Sequence, residues 1–446
     1  MRLLRFTATK VYGYLNFDVN FNKDLSFIVG VNGSGKTTVI RLIQALLTIS
    51  IRDLNLIDFK TVKLEFHDGY SDRSILAKTT KDIIELQMST VSESLKIPRL
   101  DIDDLETARR ESTRGGGFLE ELNIEIKQSP VGKALAILHT PVILGLERRV
   151  SSTGLIDSAF TNERMLSSAS LRSRRRNFHG TLGVSLMETQ VLVQDAYREV
   201  RRIQDTSNER LRSKIISSAF TYVPVDSLGD IFKLSTLDEQ KLILARRDEI
   251  QKTLVGLDTS DSNLQSVISD FFDKFTKLFT GINRKDIDIE RELSLELLIN
   301  KAQIDRIIKI IGLVDHHKSE IEKGMTSINK FLCLMNKFYS DTQKTLRIDP
   351  VGWLQIIRND GSEKTVEALS SGERQLLIIF ANLLFGGCRK GVFIIDEPEL
   401  SLHLKWQESF IPSILEASPD TQLIIATHSP EIVGEYWPKN ISLNGE

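Results

Sequence analysis

The sequence is poor in the features that mark secreted, zinc-binding and membrane proteins. Its 446 residues include only two cysteines, Cys333 and Cys388, which lie far apart and form no C-x-x-C pair. Neither a disulfide framework nor a zinc site is supported, and a reducing cytoplasm is expected. The longest apolar run, Leu376–Phe385, has about ten residues, whereas a membrane-spanning helix needs about 20.

An excess of charge of one sign is also missing. The chain has 58 Lys and Arg against 60 Asp and Glu, a formal net charge of −2, so it has no overall bias toward nucleic acid or anionic membranes. The N-terminus turns polar at Thr7, too soon for the apolar core of a signal peptide. With 41% hydrophobic and 26% charged residues, the composition predicts a soluble, globular and cytoplasmic protein.

The most informative segment begins at Gly30. It reads G-V-N-G-S-G-K-T-T and fits the G-x-x-x-x-G-K-[ST] pattern of a phosphate-binding loop between a buried strand and a helix. The glycines let backbone N–H groups approach the β- and γ-phosphates, Lys36 supplies positive charge, and Thr37 offers a hydroxyl ligand to Mg²⁺. The predicted ATP-binding residues of this loop are Gly30, Asn32, Gly33, Ser34, Gly35, Lys36, Thr37 and Thr38.

A second group of ATPase signals lies more than three hundred residues further along the chain. Val392–Ile395 reads as a buried strand that ends at Asp396 and Glu397. Asp396 is predicted to bind Mg²⁺ together with Thr37, and Glu397 to polarise the attacking water. His428 follows another apolar strand, where it could hold either the γ-phosphate or the lytic water. Glu397 and His428 are therefore the predicted catalytic residues.

A signature segment, Leu369–Glu373, precedes these carboxylates. It reads L-S-S-G-E and departs from the familiar L-S-G-G-Q at its third and fifth positions. Ser370, the Gly372 backbone and the N-terminus of the next helix are groups that can contact a γ-phosphate. In signatures of this kind they complete the site of a second copy, so Ser370 and Gly372 are predicted to bind ATP in trans. Glu399–His403 is predicted to lie at the same interface as a D-loop. A glutamine that senses Mg²⁺ is also expected, with two candidates left open: Gln87 and Gln128.

The separated halves of the ATP site predict an α/β fold, a P-loop NTPase of the ABC type. We expect a mixed sheet flanked by helices, an antiparallel N-terminal flap and a helical insertion between the halves. The longest helix of the insertion is predicted from about Lys301 to Tyr339 and would be on the order of 50–60 Å long. The heptad pattern of apolar residues is not sustained along the insertion, which favours a packed helical bundle over a free coiled coil. The predicted domains are residues 1–150 (the half with the phosphate loop), 151–340 (the insertion) and 341–446 (the half with the signature).

The insertion is basic in its first part. Between Arg164 and Lys214 the sequence has eleven Lys or Arg and five Asp or Glu. This stretch could be a solvated or protein-docking face, or it could contact the phosphates of nucleic acid, although aromatic residues for base stacking are few. Later in the insertion, His316 and His317 have no evident further ligands and are predicted to be surface-exposed. The densest basic run, a candidate DNA contact, is Arg172, Arg174, Arg175 and Arg176.

These motifs resemble the SMC-like branch of ABC ATPases. The strings L-S-S-G-E-R-Q (Leu369–Gln375) and I-I-D-E-P-E-L-S-L-H (Ile394–His403) look most like OLD-type heads, and the resemblance covers roughly residues 1–150 and 340–440. It implies heads that dimerise around ATP, often within larger homo-oligomers. OLD proteins continue into a Toprim nuclease, whereas this sequence stops. The resemblance therefore implies a stand-alone ATPase with a separate Toprim-type nuclease as its effector.

Anti-phage systems of this split design include Septu and PARIS, and the short insertion looks more like the AriA-type ATPase subunits of PARIS. The implied function is a Mg²⁺- and ATP-dependent sensor and scaffold that controls a nuclease when a phage-encoded trigger is sensed. The resemblance also allows an alternative, a DNA-repair or DNA-end-binding ATPase of the RecF kind. A transporter ATPase is disfavoured by the long separation of the two half-sites and by the absence of a membrane segment.

Overall fold

The computed structural model describes residues 1–101, 118–138, 141–145, 180–219, 245–249, 253, 269–270, 272–274, 276, 287–386 and 391–443. The candidate DNA contact at residues 172–176 lies outside these residues. The chain divides into two compact units, residues 1–196 with 327–446 and residues 197–326. Both junctions fall within the predicted insertion, and the predicted domain boundaries at 150 and 340 stay predictions.

A six-stranded antiparallel sheet forms much of the N-terminal part of the first unit. Its strand order is β2-β1-β4-β5-β6-β7. In β4, Val62, Leu64 and Phe66 are buried while their neighbours are half-exposed, the alternation of a strand that packs through one face. This sheet is the predicted antiparallel flap. Its strands are β1 (Arg2–Val11), β2 (Leu15–Asn20), β4 (Thr61–His67), β5 (Asp72–Thr79), β6 (Ile83–Met88) and β7 (Leu95–Pro98).

A second sheet has five strands, all parallel, in the order β14-β3-β13-β12-β8. Every residue of β12 and β13 is buried, the pattern of strands that are covered on both faces. The parallel and antiparallel parts of the predicted fold are thus two separate sheets. The parallel strands are β3 (Leu25–Val29), β8 (Val142–Leu144), β12 (Val392–Asp396), β13 (Gln422–Thr427) and β14 (Asn440–Ser442).

Helices and a small antiparallel sheet complete the described architecture. None of the helices among the described residues is long and apolar enough to cross a bilayer. The small sheet consists of β9 (Lys344–Ile348), β10 (Leu354–Arg358) and β11 (Glu363–Thr365). The helices are α1 (Lys36–Thr48), α2 (Ile51–Leu56), α3 (Phe118–Gln128), α4 (Pro130–Ala136), α5 (Gly180–Ala219), α6 (Ile287–Tyr339), α7 (Ser371–Phe385), α8 (Leu404–Ala417) and α9 (Pro430–Val433).

The parallel sheet separates two hydrophobic cores because successive side chains of a strand point to opposite faces. Ile394 and Ile424 belong to a core that also contains the buried faces of α1 and the antiparallel sheet. Phe393 and Ile425 belong to a second core with α7, α8 and the end of α6. The phosphate loop and the signature therefore begin helices, α1 and α7, that pack on opposite faces of one sheet.

Helix α6 is longer than predicted. It begins at Ile287 and has 53 residues, which corresponds to about 80 Å at 1.5 Å per residue. The predicted start near Lys301 and the predicted length of 50–60 Å were wrong. The additional turns are rich in Glu and Leu and contain neither Gly nor Pro, so strong intrinsic helix propensity extends the helix where the apolar period is weak.

In the second unit, α5 and α6 pack against each other and bury one of the two adjacent histidines. His317 is buried, and its Nδ1 lies 2.8 Å from the oxygen of the Ser207 hydroxyl. The single proton of this hydroxyl is donated to Glu320 at 2.7 Å. The prediction that both histidines are exposed was therefore wrong for His317 and holds for His316. His317 lies three residues after the buried Val314, and this spacing places both on the face covered by α5.

Candidate nucleotide-binding site

The predicted ATP-site segments follow the carboxyl ends of three adjacent parallel strands. Val29, the last residue of β3, pairs with Thr427, the last residue of β13. Ala426 in turn pairs with Asp396, the last residue of β12. The phosphate loop, the Asp396–Glu397 pair and His428 therefore emerge at the same edge of the sheet, which is where open α/β sheets bind ligands.

The phosphate loop is closely packed against the antiparallel flap. Gly33 and Gly35 have left-handed φ values of 86° and 92°, which residues with a Cβ rarely adopt. A Cβ added to Gly35 would also lie only 2.6 Å from Cζ of Phe17 in β2. Glycine is therefore favoured at residue 35 for two reasons: the left-handed backbone of the turn and the close contact with Phe17 of the flap.

The charge of the loop fits a phosphate chain. Lys36 is 5% exposed, and its Nζ donates to the carbonyl oxygens of Gly30 at 2.9 Å and Val31 at 3.4 Å. Within the described part of the chain no carboxylate lies in ion-pair contact with this ammonium group, and the Ser34 hydroxyl is buried without a hydrogen-bond partner. A buried cation and an unsatisfied donor are costly by themselves, and a bound polyphosphate would satisfy both.

The two predicted Mg²⁺ ligands lie on elements that meet at this edge. Thr37 is in the first turn of α1, and Asp396 ends β12 with 1% exposure. A threonine hydroxyl and a carboxylate are the oxygen ligands that Mg²⁺ prefers. The two glutamine candidates lie on other elements: Gln87 is an exposed residue of β6 in the antiparallel sheet, and Gln128 is the last residue of α3. The choice between them stays open.

The predicted catalytic residues lie beside a third polar residue, Glu399. Glu397 has a left-handed φ of 46°, and its amide donates to the Ala426 carbonyl at 2.8 Å. His428 Nδ1 lies 3.8 Å from Glu397 Oε1 but 3.0 Å from Glu399 Oε1. Sequence reasoning assigned Glu399 only to the D-loop, because nothing local indicates a contact with a residue 29 positions later.

The signature segment caps helix α7. The Ser370 hydroxyl accepts from the Glu373 amide at 3.4 Å, and the Ser370 amide donates to the Glu373 carboxylate at 2.7 Å, which together form a capping box. Ser370 and Ser371 are exposed, so the start of α7 is accessible. A Cβ on Gly372 would collide with the Ser401 carbonyl oxygen, and this close approach of the D-loop explains the glycine.

The acidic fifth residue of the signature is neutralised by a lysine from another element. Lys344, the first residue of β9, donates to both carboxylate oxygens of Glu373 at 2.9 and 2.7 Å, and Thr342 donates at 2.7 Å. Burial opposes ionisation of Glu373, but the bonds from Lys344, Thr342 and Ser370 outweigh it, so the pKa of Glu373 is lowered. Sequence reasoning did not find Lys344, since the pair is 29 residues apart.

Comparison with known proteins gives the family. A family profile described as "AAA domain" matches residues 10–330, and a second, described as "AAA domain, putative AbiEii toxin, Type IV TA system", matches residues 267–434. The chain is 22% identical over 303 residues to the Retron Vc95 probable ATPase of Vibrio cholerae serotype O1 biovar El Tor, covering 63% of this chain and 56% of that protein. It is 25% identical over 214 residues to the Retron Ec83 probable ATPase of Escherichia coli, and this match covers 40% of this chain and 39% of that protein.

A third relative is the Septu protein PtuA of Bacillus thuringiensis, 34% identical over 91 residues, 18% of this chain and 23% of that protein. The matched part of the chain thus spans about half or less of the length of these relatives. Among solved structures, the Smc head domain of Pyrococcus furiosus with an extended coiled coil, bound to the C-terminal domain of ScpA, aligns with a TM-score of 0.40 at 15% identity, covering 100% of this chain and 94% of that one. The first profile covers more than half of the 446 residues, so the chain belongs to the AAA-domain family of P-loop ATPases.

Proposed function

We propose that the chain is a Mg²⁺-dependent, ABC-type ATPase that works as the sensor and scaffold of an anti-phage defence system. The ATPase activity in this proposal is supported by one observation. The phosphate loop, Asp396–Glu397 and His428 lie together at one edge of the parallel sheet. The buried Lys36 ammonium, which has only backbone carbonyls as partners among the described contacts, supports binding of a triphosphate at that edge.

The proposed roles follow from the chemistry of each side chain. Lys36 and the loop amides hold the β- and γ-phosphates. Thr37 and Asp396 hold Mg²⁺, which when bound neutralises phosphate charge. Glu397 orients the attacking water and accepts its proton, because it directly follows Asp396 at the strand end. His428 acts at the same edge on the γ-phosphate or the water.

We propose that a second copy of the chain completes the site. Ser370 and Ser371 at the start of α7 are exposed, whereas Gly372 is buried beside Ser401. Within the described residues no hydrogen bond joins Ser370 or Gly372 to the phosphate loop of the same chain. The Ser370 oxygen accepts in the capping box and keeps its own proton for donation. With the helix N-terminus it would bind the γ-phosphate on a partner head, so that ATP joins two heads in a homo-oligomer.

The similarity to two retron ATPases and to a Septu protein supports a place in defence. The finer proposal is an AriA-type subunit, as in PARIS, that restrains a separate Toprim-type nuclease until a phage-encoded trigger is sensed. The alternative is a DNA-repair or DNA-end-binding ATPase. It is favoured by the exposed arginines of α5 in the basic stretch, namely Arg198, Arg201, Arg202, Arg210 and Arg212.

Purification of the chain from its native operon separates these two functions. We expect a nuclease chain to co-purify at a fixed stoichiometry, identified by mass spectrometry, with little nucleic acid. DNA in place of such a protein, released by moderate salt, would contradict the defence proposal and favour the alternative.

Replacement of Lys36 by Ala tests the nucleotide site itself. We expect ATP affinity to fall by about 100-fold, equivalent to about 2.7 kcal/mol, because the loop loses its only buried positive side chain. Fluorescent-nucleotide titration measures the change. Lys81→Ala, the same substitution at an exposed position before β6, is the matched control, and unchanged affinity in Lys36→Ala would contradict the proposed site.

A further inference from the structure

The carboxylate of Glu399 is built into the strand end that carries His428. Its side chain is 5% exposed. Oε1 accepts from the Thr427 hydroxyl at 2.8 Å and from the His428 amide at 2.8 Å. The same oxygen lies 3.0 Å from His428 Nδ1. One buried oxygen atom therefore contacts both the backbone and the ring of the histidine.

The distance of this contact favours one tautomer of the ring. An ionised carboxylate cannot donate a hydrogen bond, so a ring nitrogen 3.0 Å from it is stabilised by carrying a proton. In a histidine, the partner of one nitrogen decides which nitrogen is protonated and what the other can do. With Nδ1 3.0 Å from the Glu399 oxygen, Nε2 lies on the other side of a ring that remains 45% exposed.

The alternative, that Glu399 only ties the turn after β12 to β13, does not account for the ring contact. The bonds from Thr427 and the His428 amide already fasten the turn. Glu397, the other carboxylate near the ring, is 0.8 Å further from Nδ1 (3.8 against 3.0 Å). Glu399 is therefore the carboxylate that lies nearer to the histidine ring.

We infer that Glu399 is a positioning residue, which holds His428 with Nδ1 protonated and presents Nε2 to the γ-phosphate or the lytic water; this rests on the role proposed for His428. Glu399 acts through the ring and does not touch the substrate. Replacement by Leu keeps a side chain of similar size but removes the oxygen that lies beside Nδ1, so the ring can adopt the opposite tautomer with the proton on Nε2. Gln would keep an oxygen at this place, because the His428 amide can only donate to it.

The first test is nitrogen-15 NMR of the histidine rings in the full chain without nucleotide. The His428 signals are assigned by their loss in His428→Gln, since the chain has seven histidines. We expect a protonated Nδ1 in the wild-type protein and an unprotonated Nδ1 in Glu399→Leu. A neutral His428 with its proton on Nε2 in the wild-type protein would overturn the inference. This wild-type measurement does not depend on how well the variant folds.

Steady-state hydrolysis supplies the second test. We expect Glu399→Leu to lower ATP turnover by roughly 10- to 100-fold, the range for loss of a carboxylate that orients a metal-bound histidine, with ATP affinity changed by less than about threefold. Glu399→Asp should retain the Nδ1 proton and recover part of the rate. Glu408→Leu, at an exposed position of α8, is the matched control.

The two tests separate this inference from the proposed function. A wild-type protein that hydrolyses no ATP would contradict the function, while the NMR result would still report on the Glu399 contact. An unchanged turnover and unchanged His428 signals in Glu399→Leu would overturn the positioning role and leave the ATPase assignment intact.

Discussion

Replacement of Glu397 by Gln is expected to lower the rate of ATP hydrolysis by 10²- to 10⁴-fold, the contribution of a general base, while ATP still binds. Glu397 follows the buried β12 directly, and its backbone is held in a left-handed conformation by the bond to the Ala426 carbonyl. Gln keeps the shape and can adopt the same backbone, but it cannot accept a proton from water.

The same substitution should reveal the proposed head-to-head assembly. If ATP is held between Lys36 of one copy and Ser370 of another, a chain that binds but does not hydrolyse ATP stays in the joined state. Size-exclusion chromatography with light scattering should show an ATP-dependent increase in mass for Glu397→Gln that disappears when Lys36→Ala is added. This reversal would tie the assembly to nucleotide binding.

The matched control is Glu416→Gln, at an exposed position of α8, which should leave turnover unchanged. Normal turnover in Glu397→Gln would remove the proposed role of this residue. Loss of turnover without any ATP-dependent change in mass would instead contradict the binding of ATP in trans and leave the hydrolytic role standing.

Replacement of Lys344 by Met is expected to lower the free energy of unfolding by about 3 kcal/mol, near the lower end of the range for breaking a buried ion pair. Glu373 is fully buried and the Lys344 side chain is 19% exposed. Removal of the lysine leaves a carboxylate in the core without its countercharge. Chemical denaturation at pH 7 measures the loss, and Lys364→Met, on the exposed β11, is the control.

A double-mutant cycle assigns the loss to the pair. Lys344→Met with Glu373→Gln should be more stable than Lys344→Met alone, because the unpaired charge has been removed. The double variant also has the glutamine of the familiar signature at residue 373. If Lys344→Met and Lys364→Met are equally stable, the pair does not support the structure.

The pH dependence of stability supplies an independent reading of the same contact. The pKa of Glu373 is lowered in the folded protein from its ordinary value of 4.5. Its contribution to stability is therefore present above about pH 4.5 and is lost as the pH falls through the lowered pKa, because the unfolded state then binds the proton more readily. Glu373→Gln should lack this part of the acid-induced loss.

Much of the fold and of the candidate site could be predicted because the signals are local. The phosphate loop is a continuous stretch in which glycine spacing, Lys36 and the flanking strand and helix all agree. The buried runs of β12 and β13 and the capping residue Ser370 are likewise visible in a few neighbouring residues. The start of helix α6 could not be predicted in this way, because it depends on intrinsic helix propensity and is not marked by a clear period of apolar residues.

By itself, the sequence determined the chemistry that is available: which loop can bind phosphate, which carboxylates follow buried strands, and which serine begins the signature helix. Only the tertiary structure decided the pairings, namely Lys344 with Glu373, Glu399 with His428 and His317 with Ser207, which join residues 29, 29 and 110 positions apart. A buried charge or polar group must find a partner, but the fold decides which partner lies within reach.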